Sequence, residues 1–200
     1  MRRLSVLVVG LVVVAAVTVL GAFAVMASSG RDDDSWDRHG PGTVGRFGVS
    51  AEPEYLAGMV AHHEEAVTAA RELARSGRAE MRRFGDSIVE TQSAQIHQMR
   101  GWLRAWYPEQ PPAVDYRPMM RDLSGLSGDR LDEVFLQDMI GHHMAAVMWS
   151  QQLLGRGTVH EQVAGLARTI RDDQHAEIVQ MRRWLALWFD WRAVGMSRGM

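Results

Sequence analysis

The pattern of apolar and polar residues divides the chain into four segments. Residues 1–27 begin with Arg2-Arg3 and continue as an apolar run without charge, and residues 28–50 are rich in Gly, Ser, Asp and Arg. From 51 to 190, apolar residues recur at the three- and four-residue spacing of amphipathic helices. We therefore predict an apolar N-terminal helix, a flexible linker, a helical domain and, at 191–200, a tail.

The helical segment contains an internal repeat. The stretch Met59-Val60-Ala61-His62-His63 recurs as Met139-Ile140-Gly141-His142-His143. Farther on, the offset grows from 80 to 82 residues, and the two extra residues fall where a loop joins two helices. Further matching positions are Ile88, Gln92, Ile96, Met99 and Trp106 in the first copy and Ile170, Gln174, Ile178, Met181 and Trp188 in the second.

Each copy has the pattern of a helical hairpin. Gly77 ends the first helix of the first copy, and Thr158 and Glu161 have the spacing of a capping box at the start of the last helix. The predicted helices span about residues 52–76, 79–106, 129–155 and 158–188. We therefore predict an all-α protein in which repeat 1 (51–107), a connection (108–128) and repeat 2 (129–190) form an antiparallel four-helix bundle.

Polar side chains lie on the predicted inward faces of these helices. At about 100° per residue, the His doublets share a stripe with apolar residues, and Gln or Glu residues do so in the second and fourth helices. A single buried His or Gln usually serves only to fix helix register through hydrogen bonds. Two symmetric doublets opposite symmetric Gln-containing pairs favour a metal site inside the bundle instead. The candidate ligands are His62, His63, His142, His143, Met59, Met139, Gln92, Gln174, Glu177, Met99 and Met181.

Four further residues are weaker candidates for metal binding. Met144 and Met148 are one turn apart, where Met more often fills a core, although a thioether pair beside the second doublet would suit Cu(I). His97 and His175 fall off the inward face and are expected to be solvated, with a site at the rim of the bundle as the alternative. His160, near a helix start, is expected to be incidental. Packing at the far end of the bundle is expected of Trp102, Trp106, Trp184 and Trp188.

Composition narrows the chemistry of such a site. The chain has no Cys, which excludes disulfides and thiolate ligands, so a soft metal would be held by Met and His. The formal net charge is −2 and no basic stripe interleaves with aromatic residues, so the sequence gives no support to nucleic-acid binding. The expected partner is a metal ion, with copper as Cu(I) or Cu(II) first and another divalent metal as the alternative.

The N-terminal segment predicts export. A basic pair before an uncharged apolar run is typical of a secretory signal or of an uncleaved membrane span. The small residues of Val25-Met26-Ala27 favour cleavage, whereas the length of the run favours a span. Either way, most of the chain is expected outside the cytoplasm, secreted or anchored to the membrane and facing outwards.

The second repeat contains the stretch 135–146 (Phe-Leu-Gln-Asp-Met-Ile-Gly-His-His-Met-Ala-Ala), followed by Gln174, Glu177 and Met181. These residues closely resemble the domain of unknown function 305 (DUF305) family of exported bacterial proteins. The resemblance implies a ferritin-like fold and, as in some members, copper binding through Met and His. The first repeat departs from the family pattern, because Glu64-Glu65 follow its doublet and Gln95 stands where the second repeat has Glu177.

Three functions agree with these features. The first is copper sequestration or handling outside the cytoplasm. The second is a ferritin-like di-metal oxidoreductase, which needs a Glu from each of two helices and Glu-x-x-His from the other two, whereas only Glu177 is a firm inward carboxylate here. The third is a metal-free bundle that acts as a cell-surface interaction module. No catalytic residue is predicted, and a homodimer stays an open alternative.

Overall fold

The computed structural model describes residues 51–109, 115–158 and 160–189, and these belong to the second of two compact units, 1–40 and 41–200. Helix α1 spans Glu52–Arg71 and continues as a 3₁₀ turn over Glu72–Arg75, α2 spans Ala79–Trp106, α3 spans Gly128–Arg156 and α4 spans Glu161–Trp188. The described residues contain no strand. The all-α, four-helix prediction is thereby confirmed, while its ferritin-like label stays a prediction.

The predictions for the two ends of the chain concern residues that the structure does not describe. The predicted N-terminal helix (1–27), the linker (28–50) and the tail (191–200) lie outside the described residues. Within the described part, no helix is both long and apolar enough to cross a membrane.

Local chemistry explains where several helices begin and end. Pro53 sits in the first turn of α1, where its missing N–H leaves no helical hydrogen bond unmade. Gly128 is the first residue of α3 and Gly157 follows its last, with φ of 54° and 87°, a region in which side chains with a Cβ are strained. Helix α4 begins at Glu161 after His160, and no side-chain hydrogen bond caps it in the described residues, so the capping box predicted at Thr158 is wrong.

The two hairpins meet along α1 and α3. Within each hairpin the consecutive helices pack along their length, and α1 and α3 make the main contact between hairpins. Tyr55 bonds Ser150 (Oη to Oγ, 2.9 Å) and His62 Nε2 bonds the main-chain oxygen of His142 (3.0 Å), so α1 and α3 run antiparallel. Because His62 and His142 are equivalent positions, the pseudo-two-fold axis that relates the repeats passes between them.

One end of the bundle is closed by residues from both repeats. Arg78, just before α2, donates to the fully buried Asp132 at 2.8 Å and lies 5.0 Å from the ring centroid of Trp188, at the end of α4. Trp184 stacks on Trp188 at 5.2 Å.

The opposite end is closed by the equivalent residues. His160, which corresponds to Arg78, stacks on Trp106 with centroids 3.8 Å apart, and its Nδ1 lies 2.6 Å from the buried carboxylate of Glu52. The expectation that His160 is incidental is therefore wrong. The Trp pairs close both ends of the bundle rather than one, because each pair ends the second helix of its own repeat.

We predict that Gly85 of α2 tolerates no side chain. A Cβ there would lie 2.7 Å from the main-chain oxygen of Ala70 and 2.9 Å from Leu73 Cβ. Gly85→Ala should therefore lower the free energy of unfolding by about 1–3 kcal/mol, as overpacking does. Urea unfolding followed by circular dichroism measures this change.

Gly101→Ala, in the same helix, is the matched control. A Cβ at Gly101 would meet no atom of the described residues within 4 Å. This substitution should raise the stability by up to about 1 kcal/mol, because Ala is the better helix former. Equal unfolding midpoints for the two variants would contradict the close approach at Gly85.

Candidate metal centre

The four imidazoles of the two doublets come together where α1 crosses α3. The rings of His62 and His142 lie face to face, with centroids 3.5 Å apart and 31° between their planes. His63 and His143 stand beside them, at 6.0 Å and 6.1 Å from their doublet partners. All four side chains are fully buried. The structure thus brings the two doublets, 80 residues apart in sequence, into one cluster.

Each of these imidazoles is held through its Nε2 atom by an oxygen. In α1, His62 Nε2 lies 3.0 Å from the main-chain oxygen of His142, and His63 Nε2 lies 2.8 Å from Gln95 Oε1. In α3, His142 Nε2 lies 3.3 Å from Glu65 Oε2, and His143 Nε2 lies 2.6 Å from Glu177 Oε2. Carbonyl and carboxylate oxygens accept hydrogen bonds and do not donate them. Nε2 therefore carries the hydrogen in all four rings.

The other ring nitrogens are unpaired. The Nδ1 atoms of all four histidines are buried, and none has a hydrogen-bond partner among the described residues. The Oε1 atoms of Gln92 and Gln174, equivalent positions in α2 and α4, are buried and unpaired in the same part of the chain. Most buried polar atoms in proteins are hydrogen-bonded. Six unpaired acceptor atoms at symmetric positions therefore fit a bound group that takes electron pairs.

Burial favours the neutral form of His62, His63 and His142. It lowers the pKa of His62 well below the usual value, and the neighbouring His142 adds to the effect. It lowers the pKa of His63 to about 3, although the hydrogen bond to Gln95 opposes the shift. The pKa of His142 is lowered by burial as well, against the opposing effect of Glu65. Neutral imidazole is the form that binds a metal ion.

The remaining candidates separate into buried and exposed groups. Fully buried thioethers stand one turn from the polar positions of their own helices: Met59, Met99, Met139 and Met181. Met144 and Met148 are 43% and 47% exposed, so the expectation that they fill the core is wrong. His97 and His175 are exposed, in agreement with their interpretation as solvated residues, and the structure does not bring them to the cluster.

The arrangement limits which metals the cluster suits. Among the described residues, no group of three His, Asp or Glu side chains is placed to hold one ion. A metal at the crossing would therefore take donors of another kind beside the imidazoles, and the buried thioethers and Gln oxygens are the donors at hand. Thioether and imidazole together suit copper, whereas carboxylates and water suit harder ions.

Glu65 and Tyr116 contact the cluster but were not among the sequence candidates. Glu65 Oε2 faces His142 and accepts a hydrogen bond from Tyr116, whose ring lies edge-on to His62 with centroids 6.1 Å apart. Glu65 follows His62 by three residues and so shares its helix face, a signal that was available in the sequence. Tyr116 lies in the connection between the repeats, where no helical period indicates its direction.

Comparisons with known proteins agree with the duplicated bundle. The family model described as "Domain of unknown function (DUF305)" matches residues 52–121 and again residues 112–185. CopM in the Cu(I)-bound form is 26% identical, with a TM-score of 0.62, over 70% of this chain and 98% of that chain. CopM has also been solved with Cu(II) and with Ag bound.

A second solved structure is similar over the same share of the chain. A DUF305 protein from Streptomyces coelicolor, described as secreted, is 28% identical, with a TM-score of 0.61, over 70% of this chain and 94% of that chain. No curated protein matches.

We predict that the four buried histidines are Nε2–H tautomers in the metal-free protein. Long-range ¹H–¹⁵N correlation spectra should show pyridine-type Nδ1 signals for His62, His63, His142 and His143, because each Nε2 faces an acceptor oxygen. The exposed His97 and His175 serve as internal references. An Nδ1–H signal from any of the four buried rings would contradict the arrangement.

Proposed function

The chain belongs to the DUF305 family, and we propose that it binds copper, most readily Cu(I), through the buried imidazoles of its two His doublets. The role of such binding is sequestration or handling of the ion, without chemical conversion of a substrate. In this proposal the copper ion is the bound ligand that the bundle stores or transfers, and it is not a catalytic cofactor.

The four unpaired Nδ1 atoms are the observation that carries the proposal. A histidine that binds a metal through one nitrogen characteristically donates the hydrogen of the other to a carboxylate or a main-chain carbonyl. His62, His142 and His143 have such an acceptor, and Gln95 supplies an amide oxygen to His63. Each ring is thereby held with its lone pair turned away from its anchor, which is what a metal ligand requires.

The donor set favours Cu(I) over other ions. Cys is absent from the chain, so the soft donors are thioethers and imidazoles. Met59 and Met139 precede their doublets by one helical turn and are fully buried. A hard ion such as Fe³⁺ prefers carboxylates, and the two carboxylates at the cluster, Glu65 and Glu177, are engaged with imidazole Nε2 atoms.

The similarity to CopM supports the same choice. CopM has been solved with Cu(I), Cu(II) and Ag. Ag(I) is a soft monovalent ion like Cu(I), and soft thioether ligands select such ions. A structurally similar bundle with buried Met and His offers this chemistry.

We predict that His63→Ala/His143→Ala weakens Cu(I) binding by more than about 100-fold, since even the loss of residues that merely support a ligand costs about 10–100-fold. Competition with a chromogenic Cu(I) chelator measures the affinity. Wild-type protein should also melt at a higher temperature with copper, because an ion at 100 times its Kd stabilises the native state by about 2.7 kcal/mol.

His97→Ala/His175→Ala is the matched control for this pair. It removes the same number of imidazoles, but from exposed positions. Its Cu(I) affinity should equal that of the wild type. The proposal would be refuted if the two double variants bound Cu(I) with equal affinity. It would also be refuted if copper left the melting temperature of the wild-type protein unchanged.

We also propose that the chain acts outside the cytoplasm. The support is the Arg2-Arg3 pair followed by the apolar run, together with the similarity to a DUF305 protein described as secreted. The protein should be recovered from the extracytoplasmic fraction of its cells, and recovery from the cytoplasm alone would refute this. The mass of that recovered protein distinguishes a cleaved signal from an uncleaved span.

A further inference from the structure

The connection between the repeats is fastened across α1. We call residues 115–127 the strap. Glu65 Oε1 accepts the main-chain N–H groups of Met119 (2.7 Å) and Met120 (2.8 Å). Arg75 donates to the main-chain oxygens of Leu123 (2.9 Å) and Leu126 (2.6 Å). The strap is therefore held at two points by side chains of α1 and its 3₁₀ extension.

One of these two points is also the outer wall of the histidine cluster. Glu65 Oε2 accepts the Tyr116 hydroxyl and lies 3.3 Å from His142 Nε2. The side chain of Glu65 is 14% exposed, whereas that of His142 is fully buried. Glu65 and Tyr116 thus separate solvent from the stacked rings of His62 and His142.

A groove leads to this wall from the surface. It has a volume of about 580 Å³, and α1 and the strap form its sides. Carboxylates line it at Glu64, Glu65, Glu72 and Asp122, and Arg121, which also lines it, is bound by the carboxylate of Asp138. Glu64 pairs with Arg100 and Glu72 with Arg75. Because these ion pairs are exposed to solvent, they neutralise the two carboxylates only in part. An acidic groove of this kind concentrates cations.

The second repeat lacks the equivalent of this wall. The position that matches Glu65 is Ala145, which is buried in the core. Glu177, the other carboxylate at the cluster, contacts His143 but no residue of the strap among the contacts described. The approach to the cluster between α1 and the strap is therefore particular to one side of the bundle.

We propose that the acidic groove is the route by which a metal cation reaches the histidines, and that Glu65 and Tyr116 form its gate. The strap opens when the Tyr116 hydroxyl and the two main-chain N–H groups release Glu65. The opened wall then admits the cation from the groove to the unpaired Nδ1 atoms of the cluster. This inference rests on the proposed copper-binding function and adds the path and its control.

Tyr116→Phe tests the gate, with Tyr107→Phe as the matched control. Both changes remove one hydroxyl that donates to a glutamate, but Tyr107 binds Glu52 at the end of the bundle, at 2.8 Å. In the metal-free full-length chain, Tyr116→Phe should speed hydrogen exchange of the Met119 and Met120 amides about tenfold, since a hydrogen bond to a charged group is worth at least that factor. Tyr107→Phe should leave those two amides unchanged.

The second measurement uses Cu(I) itself. Release of bound Cu(I) to excess bicinchoninate, and uptake from limiting Cu(I)–bicinchoninate, should both become about tenfold faster in Tyr116→Phe, with an unchanged Kd. Arg75→Gln, which frees the other fastening point of the strap without touching the histidines, should accelerate both rates as well.

The outcomes separate the two proposals. Faster amide exchange with uptake and release rates equal to those of Tyr107→Phe would refute the route and leave copper binding intact. A changed Kd, in which release and uptake are altered unequally, would show that Tyr116 supports a ligand instead of a gate, and would refute the route too. Absence of any Cu(I) binding by the wild type would refute the proposed function and the route together.

Discussion

The crossing of α1 and α3 at His62 and His142 is the constraint on which the site depends. These residues are equivalent positions, so the pseudo-two-fold axis places their rings against each other at 3.5 Å, with no water-exposed surface. A buried polar atom left unpaired costs about 1–3 kcal/mol, and a whole domain is stable by only about 5–15 kcal/mol. Apolar side chains would pack this crossing without that cost. The proposed metal ion would supply the partners that these imidazoles lack, which packing alone does not.

The two repeats differ at the residues that hold the imidazoles. Gln95 of α2 stands where α4 has Glu177, and Glu65 of α1 stands where α3 has Ala145. As a result both carboxylates contact histidines of α3, while the histidines of α1 are held by neutral oxygens. Negative charge at the cluster is thus concentrated beside the second doublet. A cation at the proposed site would accordingly be held more strongly on the α3 side, which is the side of the repeat that keeps the family pattern.

The sequence predicts the helices well because their information is local and periodic. The limits predicted for α2 coincide with those observed, since Gly77 precedes it and a Pro follows it, and the candidate ligands predicted on the inward faces are buried apart from the half-buried Glu177. The errors fall between helices. The contact of His160 with Glu52 spans 108 residues, and no local pattern specifies such a contact. Glu65 is not indicated by the internal repeat, because its counterpart in the second copy is Ala145.

A duplicated bundle has a single connection between its repeats, and this connection supplies an asymmetry that a two-fold core lacks. Among the described residues the strap lies over α1 and no equivalent segment lies over α3, because two repeats are joined by one link. Glu65 is useful only where the strap exists, since two of its acceptor bonds are to strap amides. At the equivalent position of repeat 2 a carboxylate would have no strap to hold, and Ala145 fills the core there instead. In the proposed copper site, the symmetric crossing brings the four imidazoles together, and the single connection determines the side from which a cation reaches them.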